Sequence, residues 1–539
     1  MIATTHSMKL TGVDGTDIAI ETEITKGIGI HLVGLADAAV KESLLRTVTA
    51  LQANGYRIPG HKVVINLAPA DLYKSGSGYD LPVALTLIAA SGQDDGMLSD
   101  LSNWLVIGEL GLNGSVRHVP GAVQAVETAM AEHLAGVIIP AADKAEVPGL
   151  FQRDTTVPVY AAGSLREAIA ILAAPSKHPT VWDLSDAEPD GPTKTPECVW
   201  DTLAGRDAER RALEVAAAGG HHVLLAGPTG SGKATLAKAL REILPSVTLD
   251  EALAIAKVYS AAGRGTALAL SERGNQTRPF RSPHHSASTA ALLGGGCGEN
   301  ILPGEVTLAN GGVLNIDEIA VAPKSVLEAL RAPLEDKQVT ICRLKSYVKM
   351  PAAFQLAVST ALCPCGRYGD GDSCTCTRGQ RAAYLAKLSG PLFDHIDVHL
   401  YVRKREPDDA TAVLPEGESR ESVAFRVQKA RETQRLRFGD GRLNADMKAK
   451  DIEKHCVLGE EEKTVIERVM DALGLSYRSY TRILKVARTI ADLAGEKDIR
   501  KEHLLEAAGY RFLDRRELIP CADGFDAAKD IRETTAKRS

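Results

Sequence analysis

One stretch of the sequence limits what the rest of the chain can be. The apolar run that starts at Val223 ends in Gly227, Pro228, Thr229, Gly230, Ser231, Gly232 and Lys233, and a helical pattern takes over from Ala234. Strand, glycine loop and helix in that order build a phosphate-binding loop. The glycines let backbone N–H groups curl around an anion, the helix N-terminus adds partial positive charge, and the Lys233 ammonium reaches the β- and γ-phosphate oxygens. The chain is therefore expected to bind ATP. One position departs from the pattern. A Ser or Thr normally follows the lysine and offers its hydroxyl to Mg2+. Here Ala234 stands in that place, and Thr235 points about 100° further around the helix.

Downstream, Gly312-Val-Leu-Asn-Ile-Asp317-Glu318 reads as a buried strand ending in two carboxylates. Asp317 is assigned to holding Mg2+ through water and Glu318 to polarising the attacking water. Asn315 interrupts the apolar run and needs a partner inside it. A chain of 539 residues exceeds what one core supports, so several domains are expected. Strand and helix patterns interleave over 1–174, a Pro-rich acidic stretch at 175–198 reads as a linker, and 199–415 carries the nucleotide motifs. Residues 416–515 are helical in pattern, and 516–539 form a polar tail. The expected class is multidomain α/β. With a net charge of −6, nucleic-acid contact must rest on a local basic surface rather than on global charge. No apolar stretch reaches bilayer length, and residues 1–6 lack the basic-then-apolar pattern of a secretory leader, so a cytoplasmic protein without a membrane partner is expected.

Several further motifs carry a resemblance. These are Arg278-Pro-Phe-Arg-Ser-Pro-His-His285, Gly294-Gly-Gly296, Pro303-Gly-Glu305, Leu330-Arg-Ala-Pro-Leu-Glu335, Cys363-Pro-Cys-Gly366 and Leu388-Ser-Gly-Pro-Leu392. Near the front stand Val33-Gly-Leu-Ala-Asp37 and Gly76-Ser-Gly-Tyr-Asp80, and near the end Ala487-Arg-Thr-Ile-Ala-Asp-Leu493. Together, over roughly residues 5 to 515, the chain resembles the magnesium-chelatase-like AAA+ ATPases of the ComM/YifB type. The resemblance implies a Lon-protease-like α+β front domain, an AAA+ core and a helical C-terminal lid. It also implies hexameric rings that migrate branched DNA. Matched to Lon-type proteases, Gly78 falls at the nucleophile and Val123 at the lysine, so the front domain is expected not to be proteolytic. The sensor-1 position falls on Ala361 and the arginine-finger position on His395, while the sensor-2 arginine is kept as Arg478. Ala234, Ala361 and His395 thus depart from the pattern, and Lys233, Asp317, Glu318 and Arg478 follow it.

Cys363, Cys365, Cys374 and Cys376 fall in two pairs with eight residues between them. Four thiolates so spaced can close a tetrahedral Zn2+ site, read as structural because all four positions are filled by protein. Residues 338–350 read as two short strands around a basic turn. Arg343, Lys345 and Lys349, beside Tyr347, suit a DNA backbone, single-stranded or branched, in the pore of a homo-oligomer. Three functions are carried forward. The first is a DNA-remodelling ATPase, the second a nucleotide-binding module with weak or no hydrolysis, and the third a chelatase-type partner in metal insertion.

Overall fold

The structure is a computed structural model and describes residues 2–147, 151, 157–182, 198–265, 278–296, 301–343, 346–370, 373–388, 392–404 and 417–514. It is a mixed α/β multidomain protein with parallel strands and a helical C-terminal region. The expected tail at 516–539 and most of the expected linker lie outside the described residues.

Seven strands form the front sheet: β1 (Ile2–Thr11), β2 (Asp14–Thr25), β3 (Ile30–Val33), β4 (Lys62–Ala68), β5 (Trp104–Val106), β6 (Gly136–Pro140) and β7 (Val159–Ala162), in the order β7-β6-β5-β1-β2-β4-β3. β1 and β2 make an antiparallel ribbon running from Ile2 opposite Glu23 to Thr11 opposite Asp14. The alternation of a half-buried strand is plain in β2, where Ile18, Ile20 and Thr22 point inward and their neighbours outward. Helix α1 (Ala38–Ala53) lies against α2 (Asp80–Ser91), whose side chains are buried almost all round. The motif residue Asp80 serves this packing. Its buried carboxylate accepts from Arg46 Nε at 3.1 Å and from the Leu110 N–H at 3.2 Å, fixing α1 to α2. The first residues of the expected linker still belong to this body: Val181 is buried, and its N–H donates to Val159 O at 2.8 Å.

The core sheet contains β8 (Val223–Ala226), β9 (Phe280–Arg281), β10 (Val313–Ile316), β13 (Gln355–Thr360) and β14 (Val398–Tyr401). Between them in sequence, β11 (Gln338–Arg343) and β12 (Ser346–Pro351) form a separate antiparallel hairpin. The core strands are all parallel, in the order β9-β10-β13-β8-β14. β8, β10 and β13 are buried along their whole length, as expected for parallel strands covered on both faces. This order puts β13 between the strand of the glycine loop and the strand of the acid pair.

Two layers of contact hold the front body to the core. The β1–β2 turn packs Val13 with Val348 and Met350 of the hairpin. The front helix α3 (Ala122–Ala131) lies against a core helix of residues Leu249–Ala261, where Gln124 Nε2 donates to Lys257 O at 2.8 Å and to Val13 O at 3.0 Å. At the other end, four long helices (Arg420–Phe438, Glu460–Leu473, Tyr477–Ala494 and Lys501–Gly509) cover the core. Ser419 and Ser476 cap the first and third through their hydroxyls. A buried cluster binds this lid to the sheet. Asp397 accepts from Arg482 at 2.9 Å and is paired with His221 at 2.7 Å, and the far nitrogen of His221 meets Thr489 at 2.8 Å. Arg482 and His221 hold the Asp397 carboxyl far below the usual carboxylate range despite its burial.

Candidate nucleotide site

The glycine loop joins β8 to a helix over Lys233–Glu242. Gly227 cannot be replaced by a larger residue, because a Cβ there would stand 2.1 Å from Val402 O. Its N–H donates to Thr360 O at 3.1 Å, so the loop begins pinned between two core strands. Lys233 is buried, and its ammonium donates to the carbonyls of Gly227 at 3.0 Å and Pro228 at 2.9 Å. Burial lowers its pKa, while the nearby Glu318 and Asp317 carboxylates pull it back up. The lysine and the acid pair, 84 residues apart in sequence, are thus brought together. Ser231 Oγ is buried without a hydrogen-bond partner at the base of the loop. An ammonium with a spare proton, an unpartnered hydroxyl and two acids across from them form a donor and acceptor set that fits a nucleotide phosphate and its Mg2+. Ala234 is exposed and offers no ligand atom, and Thr235 beside it is half-buried.

The acid pair is held in part by a residue that the sequence did not single out. Ser359, near the end of β13, donates its hydroxyl to Asp317. The Glu318 N–H then donates to Ser359 Oγ at 3.3 Å, and Glu318 itself sits in the left-handed region at φ 49°. At the sensor-1 position Ala361 has no polar side chain, but its backbone N–H donates to Glu318 Oε2 at 3.4 Å. Asn315 finds its partner: Nδ2 donates to Ser282 Oγ at 2.9 Å, so the amide links the acid strand to the Arg-Ser-Pro-His-His motif. Its Oδ1 stays unpartnered. The only forewarning of Ser359 was a hydroxyl at the end of an otherwise buried strand.

The four cysteines meet directly after β13. Their sulfurs all lie within 4.8 Å of one another, with 3.3 Å from Cys363 to Cys365, 3.6 Å from Cys365 to Cys374 and 3.7 Å from Cys374 to Cys363. A tetrahedral Zn2+ with bonds of about 2.3 Å requires sulfur–sulfur edges of about 3.8 Å, so the residues fit zinc. The Arg367 N–H, followed by the neighbouring thiols, lowers the Cys365 thiol to about 6, while burial pushes the Cys363 thiol up to about 12, so Cys365 is predisposed to the thiolate a metal needs and Cys363 is not. This knuckle also touches the phosphate loop, which the sequence did not announce. The Thr229 N–H donates to Gly366 O at 2.8 Å. Gly366 has φ +74°, and a Cβ there would stand 2.4 Å from Thr229 Oγ1.

Arg478 and His395 are brought together, in a groove lined also by Arg331, Glu335, Asp394, Thr481 and Arg482. None of these belongs to the phosphate loop. Arg478 is exposed and ion-paired with Asp394. His395 lies 3.3 Å from Glu335, and burial, with Arg482 beside it, lowers its pKa, so its ring is neutral at pH 7. On the hairpin, Val339, Ile341, Val348 and Met350 are buried, and Cys342, Tyr347 and Lys349 face outward. Lys349 Nζ sits 5.8 Å from the Tyr347 ring centroid. Lys345 and the side chain of Arg343 lie outside the described residues. Among the described residues, no helix is long and apolar enough to cross a membrane.

Comparison with known families matches residues 200–410 to magnesium chelatase, subunit ChlI. Residues 20–143 match subunit ChlI of Mg-chelatase, and 417–511 match the C-terminal part of magnesium chelatase subunit ChlI. Among similar proteins, YifB of Salmonella typhimurium is 38% identical over 519 residues, covering 95% of this chain and 98% of YifB. The competence protein ComM of Haemophilus influenzae is 36% identical over 515 residues, covering 95% of this chain and 98% of ComM.

Proposed function

Because the chain belongs to the magnesium-chelatase-like ComM/YifB family, we propose that it is an ATP-hydrolysing ring protein of the ComM type that remodels DNA. One observation carries the reading: the buried Lys233 ammonium lies on the phosphate loop within electrostatic reach of Asp317 and Glu318. Lys233 neutralises the β- and γ-phosphate oxygens. Glu318, steadied by the Ala361 N–H, orients the attacking water and takes up its proton. Ser359 holds Asp317 where it receives the nucleotide's metal. Mg2+, when bound, offsets the charge that develops on the γ-phosphate. The groove of Arg478 and His395 completes the site of a neighbouring subunit in a homohexameric ring. The exposed hairpin face, with Tyr347 and Lys349, meets single-stranded or branched DNA. The front body is Lon-protease-like in ancestry and non-proteolytic, since Val123 is buried and Gly78 carries no nucleophile. The zinc knuckle is structural.

A second reading is favoured by particular residues: a nucleotide-dependent module with weak turnover. Ala361 offers only its backbone, Ala234 offers no ligand, and a neutral His395 cannot replace a guanidinium. The two readings separate by measuring nucleotide binding and steady-state hydrolysis on the same preparation. Lys233→Ala is expected to lose binding, and Glu318→Gln to keep binding and lose turnover. Tight binding with no turnover above that of Glu318→Gln, with or without DNA, supports the second reading and overturns the first.

A further inference from the structure

We infer that His118, Asp143 and Glu146 form a divalent-cation site at the joint between the front body and the nucleotide-binding core. The three residues come from two short segments of the front body. His118 follows a brief strand at Val116–Arg117, and both acids lie on a single 3-10 turn at Ala141–Glu146. One nitrogen and two carboxylate oxygens from this trio all lie within 4.8 Å of one another. An ion with bonds of about 2.1 Å takes ligand atoms about 3.0–3.4 Å apart, so small side-chain shifts would close the three around it.

The environment argues for a ligand rather than for a finished hydrogen-bond network. Asp143 is fully buried and Glu146 is 5% exposed. Asp143 has both oxygens engaged, one with His118 Nδ1 at 2.5 Å and one accepting the Val119 N–H at 3.3 Å. Glu146 has only one engaged: Oε2 accepts from Ser260 Oγ at 2.7 Å, and Oε1 is buried with no hydrogen-bond partner. A buried carboxylate oxygen without a partner is costly. Two buried carboxylates this close, facing a single imidazole, are costly to keep ionised together. A divalent cation balances both acids, gives Oε1 a partner and turns His118 into a neutral ligand. The imidazole side chain is 43% exposed, which provides the way in.

The core side of the site is supplied by the helix that the front body rests on. Ser260, near the end of Leu249–Ala261, donates to Glu146, and its carbonyl and hydroxyl accept the N–H groups of Gly121 at 3.1 Å and Val123 at 3.3 Å. The backbone then turns across the acid, so that a Cβ on Gly265 would stand 2.0 Å from the Glu146 carboxyl carbon. An ion bound here therefore stiffens the seam between the two bodies. One nitrogen and two carboxylates select a first-row divalent ion such as Mn2+ or Zn2+, and they differ in kind from the thiolates of the cysteine cluster.

Mn2+ is the discriminating probe, because it avoids thiolate sites. The full-length, nucleotide-free protein is titrated with Mn2+ and followed by electron paramagnetic resonance, with thermal unfolding measured in parallel. The expected result is one bound Mn2+ per chain and a Tm that rises with Mn2+ by mass action. Asp143→Asn and Glu146→Gln are expected to weaken binding at least about tenfold and to abolish the Tm rise. Asp317→Asn and Cys363→Ser are expected to leave both unchanged. His118→Ala, at a half-exposed position, decides between the outcomes if a buried variant fails to fold. Mn2+ binding that is absent at millimolar ion, or that is unaltered in His118→Ala and Glu146→Gln, overturns the site and leaves two carboxylates that share a proton.

Discussion

At the residue scale, the proposed hydrolysis makes Ser359 and His395 the positions where substitution should move the rate in opposite directions. Ser359 anchors Asp317 by a hydrogen bond to a charged group, an interaction worth roughly 1.5–3 kcal/mol. Ser359→Ala should therefore lower the hydrolysis rate by about tenfold or more while nucleotide binding without Mg2+ stays as in the wild type. At the position where the proposed reading expects an arginine finger, His395 carries an imidazole whose pKa burial lowers, and its groove holds Glu335 and Asp394, which can receive a cation. His395→Arg should raise kcat at least about tenfold, within the roughly 10³-fold that an arginine finger supplies. An unchanged kcat would remove His395 from the catalytic position. These residues also show where sequence reasoning reaches. Lys233, Asp317 and Glu318 were legible because each sits in a contiguous motif whose chemistry fixes its neighbours. Ser359 was not, because its role depends on β13 lying beside β10, and strand order is written in no local pattern.

At the element scale, the cysteine knuckle and the hairpin each do more than their own stretch of sequence suggests. The spacing of the four cysteines announced a metal site, but the contact of Gly366 with Thr229 arises only because β13 and β8 are neighbours. With Zn2+ bound as proposed, the ion would hold the knuckle closed and keep Gly366 O in place for the Thr229 N–H. Stripping zinc with a chelator under reducing conditions should weaken nucleotide binding by about fivefold, the equivalent of about one hydrogen bond. Fluorescent-nucleotide titration checks this, and an unchanged Kd would separate the knuckle from the phosphate loop. The hairpin was legible as two strands, but not the packing of its buried face against the core and against Val13 of the front body. Its outer face, with Tyr347 and Lys349, is the part proposed to meet DNA. Tyr347→Ala with Lys349→Ala should weaken single-strand binding by more than about tenfold, since stacking alone is worth about 1–3 kcal/mol per base. The same pair should also flatten the salt dependence by somewhat under one unit of slope for each phosphate that is no longer neutralised.

At the scale of the whole molecule, the front body and the C-terminal helices are held to one core by buried polar groups, and the core itself holds a group that answers to pH. That group is His222. Its Nδ1 accepts the Leu356 N–H at 3.0 Å, which only an unprotonated nitrogen can do, and burial lowers its pKa from 6.5 to about 4. The unfolded chain therefore takes up the proton first as the pH falls. The contribution of His222 is complete above pH 6.5 and is lost between 6.5 and about 4, amounting to on the order of 3 kcal/mol. Denaturant midpoints across that window should rise with pH in the wild type and rise less steeply in His222→Asn, which keeps an acceptor but no titrating group. Equal slopes would exclude His222 as the source. The multidomain α/β class was readable from interleaved patterns and from the nucleotide motifs. The seams between bodies were not, because they are made by isolated residues such as Gln124, Ser260 and Asp397, whose partners lie more than 100 positions away.

Whether this assembly turns over nucleotide in response to DNA is decided by one experiment. Steady-state ATP hydrolysis by the full chain is measured alone, with single-stranded DNA and with a four-way junction, using Lys233→Ala as the blank. A DNA-remodelling ring ATPase gives slow basal turnover that rises severalfold on branched DNA and is absent in Lys233→Ala. Turnover at the level of the blank on every DNA, from protein that binds nucleotide normally, would contradict it.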